Sequence, residues 1–262
     1  MKLRFIPAAL LSVVALTLTG CSGSSATDDS LSSVIDSGTL TIGTEGTYRP
    51  FSFHKDGSGG LTGYDVEVAR AVAAELGVDA VFEETQWDGI FAGLSAGRWD
   101  TIANQVSITP ERLEAYEFST PYTYSTGVIV VPADNTSITS FASLDGLTTA
   151  QSLKSNWYTL ATESGANVQS IEGWAQSVAL VEQGRVDATV NDKLTFLDYQ
   201  KTTGADNLKI AAETEERSES AFAFAKDGTA LADAVSEALA TLSDDGTLAE
   251  LSDKYFGADV SQ

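Results

Sequence analysis

Residues 94–104, LSAGRWDTIAN, and residues 181–191, VEQGRVDATVN, carry the same short pattern, Gly-Arg-x-Asp-x-x-x-Asn, 87 residues apart. In each copy a helical stretch breaks at a glycine and an apolar run suited to a buried strand begins. Recurrence at the same kind of junction points to two similarly built lobes. Around the first copy, Thr39 to Ile42 reads as a strand, and Asp65 to Leu76 sets Val66, Ala69, Val72, Ala73 and Leu76 on one helical face stopped by Gly77. Val81 to Thr85 is the next strand, Trp87 to Ser95 a helix and Asp100 to Asn104 a buried strand, which together make a parallel βαβαβ unit. Around the second, Thr148 to Gln151 is a strand, Asn156 to Glu163 a helix closed by Gly165, and Ala175 to Gln183 a helix broken by Gly184.

Two helices end the chain, Ala230 to Leu242 and Thr247 to Tyr255, and their apolar faces need a sheet to cover. If the first lobe supplies that sheet, the chain leaves it near Tyr124 and returns near Ser218 to Ser220. The expected architecture is therefore α/β and two-lobed, with residues 37–124 and 221–262 in lobe 1 and residues 125–220 in lobe 2. Two crossovers between them form a hinge, and a hinge between α/β lobes leaves a cleft.

The 262 residues, 43% hydrophobic and 20% charged, can bury a sizeable core, which excludes a disordered chain. One cysteine excludes an intramolecular disulfide, and with a single histidine it leaves no conventional zinc site and little room for histidine-based catalysis. A formal charge of −22 argues against binding nucleic acid. No metal, cofactor or catalytic residue is expected.

Lys2 and Arg4 precede an apolar run from Phe5 to Leu18, shorter than the roughly 20 residues a membrane span needs. Residues 1–20 read as a secretory signal, and Leu-Thr-Gly-Cys, ending at Cys21, resembles the lipobox of bacterial lipoproteins, which implies lipidation of that cysteine. An ordinary secretory signal with an incidental cysteine is the alternative. The polar stretch from Ser22 to Ser30 suits a flexible tether, assigned to residues 21–36. The expected location is the extracytoplasmic face of the cell membrane.

In open parallel sheets ligands bind beyond the carboxyl ends of strands. After the first copy come Asn104, Gln105 and Ser107, then Thr109 capping a helix whose first turn holds Pro110 and Arg112. A guanidinium beside a helix N-terminus suits a carboxylate, although Arg112 could equally pair with Glu111 or Glu114 on the surface. After the second copy comes Asp192, placed to hold an ammonium group or simply to cap the following segment. An arginine and an aspartate on opposite lobes match the zwitterionic head of an α-amino acid. Tyr48, Phe51, Trp87 and Trp157 could wall the pocket or belong to the core.

GTEGTYRPFSF (residues 43–53), GGLTGYDVEVARAVAAELG (59–77), WDGIFAGLSAGRWDTIANQVSITPERLEAYEFSTPY (87–122) and DGTLAELSDKYFG (245–257) carry a family likeness. Over essentially its whole mature length the chain resembles the family 3 solute-binding proteins of amino-acid ABC transporters. That resemblance implies a periplasmic-binding-protein-like type II fold and a monomer that delivers ligand to ABC permease and ATPase subunits. It also implies that Tyr48 and Trp87 sandwich the ligand side chain, that Arg112 binds the α-carboxylate and that Asp192 binds the α-ammonium. AQSLKSNW (150–157), EGWAQ (172–176) and RVDATVNDKLTFLDY (185–199) look most like the L-cystine-binding branch. Many members have Gly-Thr where this chain has Lys154-Ser155; Ser155 keeps the hydroxyl that would contact a carboxylate. Glu45, Asn104, Gln105, Lys154 and Asn156 are candidates for the second polar head of cystine. The rivals are a receptor for glutamine or a basic amino acid and, because the fold resembles that of prephenate and arogenate dehydratases, an enzyme.

Overall fold

The computed structural model describes Met1 and residues 28–262. The rest of the signal-like run, Cys21 and the first part of the tether lie outside the described residues. Lobe 1 opens with α1 (Ser30–Ser37), β1 (Thr39–Thr44), β2 (Thr47–Tyr48), β3 (Ser52–His54), β4 (Leu61–Thr62), α2 (Tyr64–Glu75) and β5 (Asp79–Glu84). It continues through α3 (Trp87–Ser95), β6 (Thr101–Ser107), α4 (Pro110–Ala115) and β7 (Tyr116–Phe118). The chain crosses on β8 (Thr123–Pro132) into lobe 2, made of β9 (Thr148–Ser152), α5 (Asn156–Glu163), β10 (Asn167–Ile171), α6 (Gly173–Glu182), β11 (Thr189–Asp192) and α7 (Lys193–Thr203). It returns on β12 (Leu208–Ala225) and finishes with α8 (Thr229–Asp244) and α9 (Thr247–Phe256).

The main sheet runs β11-β8-β12-β6-β1-β5, with β7 on β12. β1 pairs in parallel with both β5 and β6, as the βαβαβ reading requires. In lobe 2, β9 and β10 are parallel, and a bridge between Thr149 and Ala188 sets β9 beside β11. The two crossing strands lie side by side and antiparallel, Tyr124 opposite Glu219 and Ser125 opposite Ser218.

The repeated pattern is one structural device built twice. Gly97 (φ +66) and Gly184 (φ +65) follow α3 and α6 in the left-handed conformation that ends a helix without a Cβ penalty. The aspartates then clamp a neighbouring strand: Asp100 N donates to Thr41 O (2.9 Å) and Thr41 N to Asp100 Oδ2 (2.8 Å). Asp187 N donates to Thr148 O (2.8 Å) and Thr148 N to Asp187 Oδ2 (2.8 Å) in the same way. A short acidic side chain that satisfies a strand's first free amide fixes the parallel register.

Helices cover both faces of each lobe. On lobe 1, α2, α8 and α9 bury Val68, Val72, Val235 and Leu239 with Leu40 and Ile42, while α3 buries Ile90 and Leu94 against Ile102 and Val106. On lobe 2, Val178 and Phe196 pack with Val128 and Val130 on one side, and Ala161 with Ile129 and Val190 on the other. Among the described residues no helix is long and apolar enough to cross a membrane.

One expectation is corrected. Residues 30–36, assigned to the tether, belong to α1, whose Val34 is buried in the lobe 1 core. Ser30 Oγ also receives the Leu231 amide and Asp28 Oδ2 the Ala230 amide, so this segment caps the N-terminus of α8.

Candidate functional site

Strands β1 and β6 of lobe 1 end facing β9 and β11 of lobe 2, and a partly open cleft lies between them. Glu45, Tyr48, Trp87, Asn104 and Gln105 line it from lobe 1. Gln151, Ser155, Asn156, Trp157, Trp174 and Asn191 line it from lobe 2. The lobes touch around it: Tyr48 Oη donates to Asn191 Oδ1 (3.1 Å) and accepts from Thr195 Oγ1 (3.1 Å), and Arg49 Nε reaches Asp198 Oδ2 (3.3 Å).

Thr109 caps α4 by accepting the Arg112 amide, and this short helix turns the Arg112 side chain inward. Only 9% of Arg112 is exposed. Its guanidinium donates to Ser107 O (2.8 Å) and, across the cleft, to Lys154 O (3.4 Å), and lies 5.4 Å from the Trp87 ring centre and 5.2 Å from that of Phe91. No carboxylate forms an ion pair with it among the described residues. Burial lowers its pKa to about 10 against the opposing pull of Tyr116 and Glu111, so it stays cationic at neutral pH.

Asp192, 4% exposed, ends β11 and caps α7 by accepting the Leu194 amide on Oδ1 (2.8 Å). Ser125 Oγ, from the first crossing strand, donates to the same oxygen (2.8 Å). Burial raises its pKa to about 6 against the pull of these hydrogen bonds. Its side chain, like that of Arg112, is not among those that line the cavity.

A second carboxylate wall lies behind the cleft. Asp65, fully buried at the start of α2, accepts the Gln105 backbone amide on Oδ2 and its side-chain Nε2 on Oδ1, both at 2.7 Å. These bonds hold Gln105 at φ +50, a left-handed geometry unusual for a residue other than glycine. Burial lifts Asp65 to about 7, and does the same to Glu45, whose carboxylate accepts from Asn104 Nδ2 (2.6 Å). Among the buried side-chain atoms without a partner are Gln105 Oε1, Gln151 Nε2, Trp87 Nε1 and Trp174 Nε1, all from residues lining the cavity. Such atoms are costly to bury unless something bonds them.

Of the residues singled out in the sequence, Tyr48, Trp87, Asn104, Gln105, Ser155 and Asn156 come together on the cavity wall. Ser155 caps α5, its Oγ accepting the Tyr158 amide at 3.0 Å, and Lys154 before it adopts φ +62. Ser107 lies just behind, its carbonyl on Arg112 and its hydroxyl accepting from Ser218 Oγ (3.0 Å). Phe51 is a correction: fully buried, it packs against Tyr48 (5.1 Å between ring centres) and Phe256 (5.9 Å), because the short β2–β3 hairpin turns it into lobe 1. Gln151, Trp174 and Asp65 were missed. Gln151 and Trp174 follow the strand-end rule that found Asn104, whereas no local signal marks Asp65, one acidic residue in a helix's first turn.

A model of the bacterial extracellular solute-binding proteins, family 3, matches residues 40–258. The L-cystine-binding protein TcyA of Bacillus subtilis (strain 168) is 46% identical over 97% of this chain and 96% of its own length. A crystal structure of the L-cystine solute receptor of Neisseria gonorrhoeae, in the unliganded open conformation, is 45% identical with a TM-score of 0.60, covering 88% of this chain and 99% of that one. An ancestral arginine-binding protein bound to arginine is 33% identical with a TM-score of 0.78, covering 84% and 99%.

Proposed function

This chain belongs to the bacterial extracellular solute-binding proteins of family 3, and on that footing we propose that it captures L-cystine between its lobes for an amino-acid ABC importer, making and breaking no bond. The observation that carries the reading is Arg112, a buried guanidinium on lobe 1 that among the described residues is bonded only to carbonyl groups. An α-carboxylate supplies its missing counter-charge, and the Ser155 end of α5 offers further donors from the opposite lobe. Asp192 takes the α-ammonium, while Tyr48 and Trp87 enclose the ligand's apolar middle.

Ligand touching both lobes favours their approach by its preference for the joined form. The TM-scores fit this picture: the 45% identical receptor, recorded open, superposes at 0.60, whereas the 33% identical arginine-bound protein reaches 0.78. A receptor for a basic amino acid is the second reading, favoured by the Glu45 carboxylate on the cavity wall.

Thermal-shift screening of the protein against the common amino acids and L-cystine separates the two, since a ligand bound by the folded state alone raises Tm. L-cystine giving the largest rise supports the first reading, and arginine or lysine doing so replaces it. We assign Cys21 to lipid anchorage on the extracytoplasmic face, with a monomeric binding domain beyond it. Cys21→Ser is expected to move the protein from the membrane fraction to the medium or periplasm.

A further inference from the structure

Cystine has two identical heads, and Arg112 with Asp192 accounts for one. The sheet order says where the other falls. In lobe 2, β11 lies against the crossing strand β8, β9 lies beyond β11, and β10 lies beyond β9. In lobe 1, β6 lies against the crossing strand β12 and β1 lies beyond β6. Asp192 and Arg112 follow the inner strands, next to the hinge. Glu45 follows β1, Gln151 sits near the end of β9, and Trp174 follows β10, so all three lie farther out. Glu45 and Trp174, with Gly173 between the lobes, also border an outer groove whose other walls include exposed Glu84, Gln86, Ala175 and Gln176.

Neighbouring strands are about 4.8 Å apart, so in lobe 2 Gln151 stands roughly one strand spacing from Asp192 and Trp174 roughly two. The Cα atoms of a disulfide-linked pair are about 4.4–6.8 Å apart, which spans the offset of one strand to Gln151, and the long Trp174 side chain reaches back toward it from the next. The chemistry of the outer end suits a head group. Gln151 Nε2 and Trp174 Nε1 are buried donors without partners among the described residues, and Gln151, 3% exposed, has its Oε1 already engaged by Thr149 Oγ1 (2.9 Å), which orients the amide nitrogen. The Glu45 carboxylate stands across the cleft from Gly173, its Oε1 4.0 Å from where a Cβ there would lie.

We propose that Gln151, Trp174 and Glu45 form a second head-group subsite at the outer end of the cleft, the two donors taking the distal carboxylate of a two-headed amino acid and Glu45 its distal ammonium. This rests on the assignment of the inner site to an α-amino-acid head.

Calorimetry with two ligands tests it: L-cystine, and the mixed disulfide of L-cysteine with ethanethiol, which keeps one head and the disulfide but lacks the second head. The wild-type protein is expected to bind cystine at least about 30-fold more tightly. Gln151→Leu, Trp174→Phe and Glu45→Gln are each expected to weaken cystine by about 10- to 100-fold, the range of a lost charge-assisted hydrogen bond. Binding of the mixed disulfide should stay within about threefold. Equal loss for both ligands, or unchanged cystine binding in all three variants, overturns the subsite. Should a variant not fold, the wild-type comparison still decides: equal affinity for the two ligands overturns it. Failure of the wild type to bind cystine while it binds a one-headed amino acid rejects both the subsite and the cystine reading, an outcome distinct from loss of the subsite alone.

Discussion

Burying a guanidinium beside two carbonyl groups leaves its charge unbalanced, because a carbonyl offers a dipole and no counter-ion. Arg112 is in that position, and removing it should abolish the main anchor of the ligand carboxylate. Arg112→Ala and Asp192→Ala are each expected to cost roughly 2–5 kcal/mol of L-cystine binding in calorimetry, since each strands an opposite charge in a desolvated cleft. Wild-type affinity in either variant would sink that assignment of roles. The buried carboxyls make a separate demand. Glu45 and Asp65, raised to about 7, and Asp192, raised to about 6, keep protons in the folded protein that the unfolded chain releases near pH 4. The folded state therefore binds more protons through that window, and stability falls as pH rises from about 4 to 7. Thermal melts of the ligand-free protein should show a Tm higher at pH 5 than at pH 7.5, with Asp65→Asn flattening the difference. Ligand affinity should run the other way, weakening below about pH 7 as first Glu45 and then Asp192 lose the charge that holds an ammonium.

At the scale of elements, glycines let aromatic rings lie on the backbone. A Cβ at Gly93, in the middle of α3, would fall within the buried Trp99 ring, and one at Gly43 on β1 would come 2.7 Å from it. Alanine in a helix gains about 1 kcal/mol over glycine. Overpacking a core costs about 1–3 kcal/mol or more, so the clash outweighs that gain. Gly93→Ala should thus lower stability in chemical denaturation, and adding Trp99→Leu should recover part of the loss. A Gly93→Ala protein at least as stable as wild type would show that the ring yields freely. The helices with long apolar faces were legible in sequence, α2 and α8 to within two residues at each end. The α1 helix was not: SLSSVIDS has too few apolar positions for a periodic signal, and packing of Val34 together with Gly38 at φ +70 makes it a helix.

For the whole molecule, Tyr48 matters as a link between lobes as well as a wall of the cavity. Tyr48→Phe removes two cross-lobe hydrogen bonds while keeping the ring. At about 0.5–1.5 kcal/mol each, their loss should weaken ligand binding by about 1–3 kcal/mol. It should also enlarge the radius of gyration in ligand-free X-ray scattering; an unchanged radius and affinity would show that these bonds do not hold the lobes together. By itself the sequence determined the alternation of strands and helices, the doubling of the lobes and the candidacy of Arg112 and Asp192 as residues beyond strand ends. All of these depend on local periodicity, glycine stops and the rule that ligands gather at strand ends. Tertiary structure alone decided that Phe51 belongs to the core, that Asp65 braces Gln105 from 40 positions earlier in the chain, and that Gln151 and Trp174 present unpartnered donors to the same cavity. Those facts depend on which side chains meet across strands and lobes far apart in sequence, and a buried polar atom is recognisable as unpartnered only when all its neighbours are in place.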